Sequence, residues 1–234
     1  MSAPSSVATA LPERRREGGV VTRFDLVERF VHWSTAALMV VLIVTGAILY
    51  LPALALSVGH RALVENVHVL TGLGLVCPLL IGVAGPWRSR LVSDLRRLDR
   101  WTPADFEWFR GASRRGGAPR GKFNGGQKLE ASFLGGAMGA TLVTGVVMRY
   151  GPSSWISFAT GATLVHDTLF FAITIALAAH VAFALSRPEQ LSSMVRGTIP
   201  VAWAAKHAPS WLRELEPGTD AAELAVEPVQ LPEQ

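Results

Sequence analysis

Four long apolar stretches constrain the fold of this chain more than any other feature of its sequence. They run over residues 30–51, 63–87, 131–148 and 162–185. A helix needs roughly 20 mostly apolar residues to cross the hydrocarbon core of a bilayer. Half of the chain is hydrophobic and only 17% is charged, a balance that few soluble domains show. The sequence therefore predicts an all-α membrane protein, a bundle of four transmembrane helices.

Basic residues are divided unequally among the segments that connect these spans. Of the 22 Lys and Arg residues, five precede the first span, eleven lie between the second and third, and four follow the fourth. The other two connections contain one each, Arg61 and Arg149. Because basic residues stay on the cytoplasmic side, we expect both termini and the central loop to be cytoplasmic. On that side the basic residues face an anionic lipid leaflet, which accounts for the basic pI of the chain. We therefore expect no nucleic-acid partner.

The segments outside the spans predict a membrane domain over residues 21–212 with a disordered segment at each end. Residues 1–20 are rich in Ser, Ala, Pro and Arg, and residues 213–234 form an acidic tail. In the central loop, Thr102 followed by Pro103 indicates the start of a short interfacial helix. Trp and basic residues alternate over Ser193–Leu215, which is typical of a helix lying on the cytoplasmic surface.

Four of the six histidines lie inside the predicted spans, where ionisable side chains are uncommon and usually functional. With the N-terminus inside, the first span places His32 near the cytoplasmic face. The second and fourth spans run inward, which places His68 and His166 toward the outer face and His180 toward the inner one. The depths therefore predict an outer pair, His68 with His166, and an inner pair, His32 with His180.

The spacing within the fourth span favours a common role for these histidines. His166 and His180 are 14 residues apart, so they share nearly one helix face about 21 Å apart along the axis. A helix that supplies one ligand to each of two stacked porphyrins needs this arrangement. Two histidines fill both axial positions of a haem iron, which favours electron transfer over oxygen binding. The alternatives are polar packing residues and a haem-free transporter whose histidines relay protons.

A polar segment lies just before the third span, at residues 121–128, and reads Gly-Lys-Phe-Asn-Gly-Gly-Gln-Lys. One interpretation is an ordinary Gly/Asn turn that starts a helix. The other is a quinone pocket, because the Asn124 and Gln127 amides can hydrogen-bond a quinone carbonyl. The residues themselves leave both open.

These motifs together resemble the cytochrome b (gamma) subunit of respiratory, membrane-bound formate dehydrogenases. The resemblance covers about residues 21–212, and the segment 121–128 is its most specific element. Its other elements are Arg23-Phe24, Glu28-Arg29-Phe30-Val31-His32-Trp33, Glu65-Asn66-Val67-His68 with Gly72, and His166 with His180.

The resemblance implies two b-type haems, with iron ligands His68 with His166 and His32 with His180. It also implies a quinone site, for menaquinone or ubiquinone, at Asn124 and Gly126, with Gln127 a weaker candidate.

The implied function is a membrane anchor that passes electrons inward from an iron–sulfur beta subunit to membrane quinone. Formate is oxidised in a molybdenum or tungsten catalytic alpha subunit, in formate-dependent or anaerobic respiration. The implied location is the bacterial cytoplasmic (inner) membrane. A cytochrome b subunit of a hydrogenase or of a thiosulfate or polysulfide reductase remains an alternative, because only the donor differs.

Overall fold

The computed structural model describes residues 19–111, 121–152, 154 and 156–215. Its elements in chain order are strand β1 (Val20–Thr22), helices α1 (Leu26–Tyr50), α2 (Pro52–Val58), α3 (Arg61–Gly74), α4 (Cys77–Ala84), α5 (Ser89–Asp99), α6 (Pro103–Phe109), α7 (Gly125–Tyr150), α8 (Ile156–Leu185) and α9 (Pro188–Arg196), strand β2 (Thr198–Pro200), and helices α10 (Val201–His207) and α11 (Pro209–Leu215). The chain forms two units. Among the described residues, the larger comprises 24–101, 127–152, 154 and 156–197, and the smaller comprises 19–23, 102–111, 121–126 and 198–215.

Four helical segments in the described part of the chain are long and apolar enough to cross a membrane. They are Leu26–Tyr50, Arg61–Ala84, Gly125–Tyr150 and Ser157–Leu185. At most 17% of the residues in the apolar window of each segment are buried inside the protein. Long helices with outward apolar faces are stable only where lipid covers those faces. The predicted class, a helical membrane protein with four spans, is confirmed.

The first span begins at Leu26, four residues before the predicted start, because Asp25 caps the helix. The Asp25 Oδ1 atom accepts the backbone N–H of Glu28 at 2.9 Å, and the Glu28 carboxylate accepts the backbone N–H of Asp25 at 2.7 Å. This reciprocal pair satisfies two donors that a helix start leaves without partners. The helix ends at Tyr50, two residues before Pro52.

The second span is not one continuous helix, because α3 ends at Gly74 and α4 begins at Cys77. Pro78 has no backbone N–H, so it cannot donate the helical hydrogen bond to the carbonyl of Gly74. The backbone instead tightens, and the N–H of Leu75 donates to Gly72. The break lets the buried Leu75 side chain project into the core.

The core of the larger unit receives one buried side chain from each of the four spans. These are Met39 from α1, Leu75 between α3 and α4, Ala137 from α7 and Ile173 from α8. Ile173 lies seven residues from both His166 and His180, about 10 Å along the helix from each. An apolar layer therefore separates the levels of the two predicted histidine pairs.

The smaller unit contains a two-stranded antiparallel sheet that the sequence did not predict. Val21 of β1 pairs with Ile199 of β2, and Ile199 is almost fully buried with Trp211 and Leu212. Val20 thus lies in a strand, although residues 1–20 were predicted to be disordered. The prediction of disorder is therefore wrong for Val20, because pairing with β2 satisfies the polar groups of its backbone. Residues 1–18 lie outside the described part.

The predicted surface helix over Ser193–Leu215 is wrong as a continuous helix, because the segment is divided into α9, β2, α10 and α11. Gly197 ends α9 with a φ of 86°, a left-handed conformation that glycine adopts without strain. Pro200 and Pro209 then lie at the starts of α10 and α11, where a missing N–H costs nothing.

The short helix predicted to start at Thr102 and Pro103 is present as α6. Thr102 does cap α6 as predicted, and its hydroxyl and backbone N–H both donate to Asp105 at 2.8 Å.

The predicted disordered tail starts too early, because Arg213–Leu215 belong to α11. Residues 216–234 lie outside the described part, and the division at 21–212 stays a prediction.

Candidate functional site

The structure places His32 and His180, the inner pair, next to each other in the larger unit. His32 lies in the second turn of α1 and His180 near the end of α8. Their ring centroids are 6.2 Å apart, and the ring planes are inclined by 46°. Two helices far apart in sequence therefore direct imidazoles toward one common point.

The outer pair, His68 of α3 and His166 of α8, has the same separation. The ring centroids are again 6.2 Å apart, with an angle of 64° between the planes. The cavity beside this pair has an almost wholly apolar lining, which includes Gly72, Gly145 and Phe170. Apolar walls with a few polar groups are typical of a site for a flat organic cofactor.

The common separation fits a metal held between each pair of rings. Two imidazoles that bind one iron from opposite sides have ring centroids roughly 6 Å apart, because each metal–nitrogen bond is about 2 Å long and each ring centre lies about 1 Å beyond its nitrogen. Within the described residues, no cluster of three or more His, Cys, Asp or Glu side chains could bind a bare metal ion. Two ligands per site suit a haem, because the porphyrin supplies the other four.

A threonine on α1 determines the orientation and tautomer of His68. The Thr45 hydroxyl lies 2.7 Å from the carbonyl oxygen of Val41, one turn earlier, and 2.8 Å from Nδ1 of His68. A hydroxyl donates only one hydrogen bond, and the Val41 carbonyl, which can only accept, takes it. The hydroxyl oxygen therefore accepts a hydrogen bond from Nδ1–H of His68. This leaves Nε2 unprotonated and available as a ligand.

The same arrangement occurs at His166, with a threonine from α7. The Thr144 hydroxyl donates to the carbonyl of Ala140 at 2.8 Å and accepts from Nδ1 of His166 at 3.0 Å. Both members of the outer pair are thus oriented by a neutral hydroxyl. Metal-binding histidines generally donate their second ring N–H in this way.

His180 of the inner pair has a different partner, the carboxylate of Glu130 on α7. The Nδ1 atom of His180 lies 3.0 Å from Oε1 of Glu130. A carboxylate only accepts hydrogen bonds, so Nδ1 carries the proton and Nε2 is again left free.

A glycine follows each of the two threonines and lies against the ring that the threonine orients. A Cβ atom at Gly46 would lie 3.4 Å from Cε1 of His68, and one at Gly145 would lie 3.3 Å from Cε1 of His166. These distances are tight for a carbon contact, so larger side chains would displace the rings. A Thr-Gly pair on the facing helix thus orients each outer histidine and leaves it room.

The predicted quinone residues belong to both units. Asn124 and Gly126 lie in the smaller unit, and a Cβ at Gly126 would lie 2.6 Å from the ring of Trp108. Gly126 therefore also has a packing reason to be glycine. Gln127 lies in the larger unit, where its amide donates to Gln190 at 3.5 Å.

The sequence pattern did not indicate Thr45, Thr144 and Glu130 as partners of the histidines. The Thr-Gly dipeptides of the first and third spans were the available signal for the first two, but the second span contains the same dipeptide at Thr71-Gly72, so the signal is not specific. Glu130 has a weaker signal, because a carboxylate at a span boundary is ordinarily assigned to the membrane surface.

Four membrane spans that bring histidines together in pairs define the class of protein, a helical membrane protein of the cytochrome b type. The chain belongs to the family described as prokaryotic cytochrome b561, whose model matches residues 23–197. Membership of this family implies haem b.

Several relatives share sequence over most of their length. The chain is 27% identical over 194 residues to the formate dehydrogenase cytochrome b556 subunit of Haemophilus influenzae, covering 80% of this chain and 79% of that protein. It is 24% identical over 217 residues to the formate dehydrogenase cytochrome b556(fdo) subunit of Escherichia coli K12, covering 88% and 98%. It is 22% identical over 206 residues to the nitrate-inducible formate dehydrogenase cytochrome b556(Fdn) subunit of the same strain, covering 84% and 92%.

Proposed function

We propose that this chain is the membrane-anchoring cytochrome b subunit of a formate dehydrogenase, and that it holds two haems b and serves electron transfer to membrane quinone. The observation that carries the proposal is the pair of 6.2 Å centroid separations, one between His32 and His180 and one between His68 and His166. The names of the relatives support the choice of formate dehydrogenase.

The residues of this chain would bind and orient the cofactors. The four histidines would supply Nε2 ligands, and Thr45, Thr144 and Glu130 would accept the Nδ1–H hydrogen bonds of His68, His166 and His180, which leaves Nε2 of those three available. A haem with two imidazole ligands supplies one-electron transfer and has no open iron position for oxygen. The apolar layer around Ile173 would exclude water between the two levels.

The partners follow from the same assignment. Formate oxidation would take place in a catalytic alpha subunit with molybdenum or tungsten, and an iron–sulfur beta subunit would deliver electrons to this chain. The division of basic residues supports an orientation with both termini in the cytoplasm of a bacterium and the chain in its inner membrane.

Quinone would be reduced on the cytoplasmic side, at a site that includes Asn124 and Gly126, with Gln127 as the weaker candidate. The support is the resemblance of residues 121–128 and the amide chemistry of Asn124. The electron-transfer and quinone-reducing step would be this chain's part of a formate:quinone oxidoreductase reaction.

Haem content tests the central claim. The purified chain should show b-type bands in a reduced-minus-oxidised spectrum, and a pyridine haemochrome assay should give about two haems per chain, because each histidine pair fills both axial positions of one iron. The haems should be removable by acid–acetone extraction, since the sequence has only Cys77 and no Cys-x-x-Cys-His motif. A spectrum without b-type bands would favour a haem-free transporter instead.

Asn124 tests the quinone site. In the complete complex, Asn124→Ala should keep both haems, because it alters no histidine or histidine partner. Quinone reduction should fall about five- to 150-fold, which corresponds to a lost hydrogen bond of about 1 to 3 kcal/mol. Asn66→Ala, which removes the other asparagine amide at an exposed position, is the control. If Asn124→Ala reduced quinone at the wild-type rate, residues 121–128 would be an ordinary turn that starts α7, and the quinone site would lie elsewhere.

A further inference from the structure

His180 differs from both histidines of the outer pair in the charge of the group that accepts its Nδ1 hydrogen bond. His68 and His166 donate to threonine hydroxyls, and each hydroxyl donates its own hydrogen bond to a backbone carbonyl of its helix. Neither acceptor is charged. His180 donates to the Glu130 side chain at 3.0 Å, and that acceptor is a carboxylate.

This difference alters the ligand nitrogen on the opposite side of the ring. A hydrogen bond to an anion is shorter and roughly twice as strong as one between neutral groups. It draws the Nδ1 proton away from the ring and places more negative charge on the imidazole. The Nε2 atom then becomes a stronger electron donor, which is how hydrogen-bonded neighbours tune a bound metal.

The surroundings make this effect moderate. The side chains of His180 and Glu130 are 37% and 31% exposed in the chain. Glu130 immediately precedes the predicted third span (131–148), at the membrane boundary, where water screens its charge, so the full low-dielectric interaction does not apply. A change of about tenfold in the equilibrium between oxidised and reduced iron is the scale expected of one charge-assisted hydrogen bond.

We propose that Glu130 is a positioning residue that lowers the reduction potential of the haem held by His32 and His180, while neutral hydroxyls leave the other haem without this effect. The inference rests on the proposed function, because it requires that both pairs hold haem. It assigns the charged Nδ1 partner at the inner site to one side chain of α7. The carboxylate of Asp167, next to His166 in sequence, acts on the outer site through space, and Glu130→Gln leaves it unchanged.

The substitution Glu130→Gln separates charge from position, because the amide oxygen of glutamine still accepts the His180 proton. We expect a potentiometric titration of the purified, haem-loaded complex at constant pH to resolve two components. In Glu130→Gln, the component assigned to the His32–His180 haem should move to a more positive potential by about 59 mV, which is tenfold for one electron. The other component should not move. His68→Ala, which retains only the inner pair of ligands, assigns the components.

Glu189→Gln is the matched control, because it removes one carboxylate charge from an exposed position at the start of α9. It should shift neither component by a comparable amount. Thr144→Val should instead perturb the component of the His68–His166 haem, since it removes the acceptor for His166.

Each other result has a distinct meaning. An unchanged inner component in Glu130→Gln, or equal shifts of both components, would overturn the inference. Loss of one haem from Glu130→Gln would also overturn it, because the carboxylate would then serve haem retention and not the potential. A wild-type chain without two haems would contradict the proposed function itself, which the haemochrome assay shows before any titration.

Discussion

His180→Ala should lower the haem content of the purified chain from two to one. Alanine has no ligand atom, so His32 alone cannot fill both axial positions of an iron. His68 and His166 lie at the other level, beyond the apolar layer that contains Ile173, and their partners Thr45 and Thr144 are untouched. A pyridine haemochrome assay and the spectrum of the remaining haem measure the change. Quinone reduction by the whole complex should fall at least as far as in Asn124→Ala.

His60→Ala is the control for this experiment. His60 is exposed and lies just before α3, without a side-chain hydrogen bond to the helix start. Its substitution should leave two haems and normal quinone reduction. A His180→Ala chain that still binds two haems would show that His32 and His180 do not share a cofactor, whatever their separation.

Gly145→Val should remove the other haem and spare the one at His32 and His180. The first carbon of the new side chain would lie 3.3 Å from Cε1 of His166, closer than an ordinary carbon contact, and the branched methyl groups add further volume beside that ring. The imidazole must rotate or move, which breaks its 3.0 Å hydrogen bond with Thr144 and misdirects Nε2. Loss of the orienting partner of a metal ligand typically costs about 10- to 100-fold in affinity. Haemochrome content after purification reports the loss.

Gly139→Val is a matched control on the same helix. A Cβ at Gly139 has no heavy atom within 4 Å in the described structure, so valine there should be accommodated and both haems should remain. The two substitutions change helix propensity equally, so a difference between them reports the contact with His166. Equal haem loss in both variants would point to general destabilisation of α7.

Much of the fold could be predicted because a bilayer imposes simple rules on length and composition. The apolar stretches predicted four spans, and the structure has four suitable helices with ends that differ by up to six residues. The differences have local causes. Asp25 extends the first helix by capping it, and Pro78 interrupts the second span because it lacks a donor.

The sequence by itself determined which histidines share a level, because position along a helix converts directly into depth. It could not determine what else those rings contact. Depth leaves open how far each helix rotates about its axis and how closely its neighbours approach. Those two quantities bring Thr45, Thr144 and Glu130 to Nδ1 atoms on other helices. Tertiary packing alone therefore decided that both histidines of the outer pair are oriented by neutral hydroxyls, whereas His180 of the inner pair is oriented by a carboxylate.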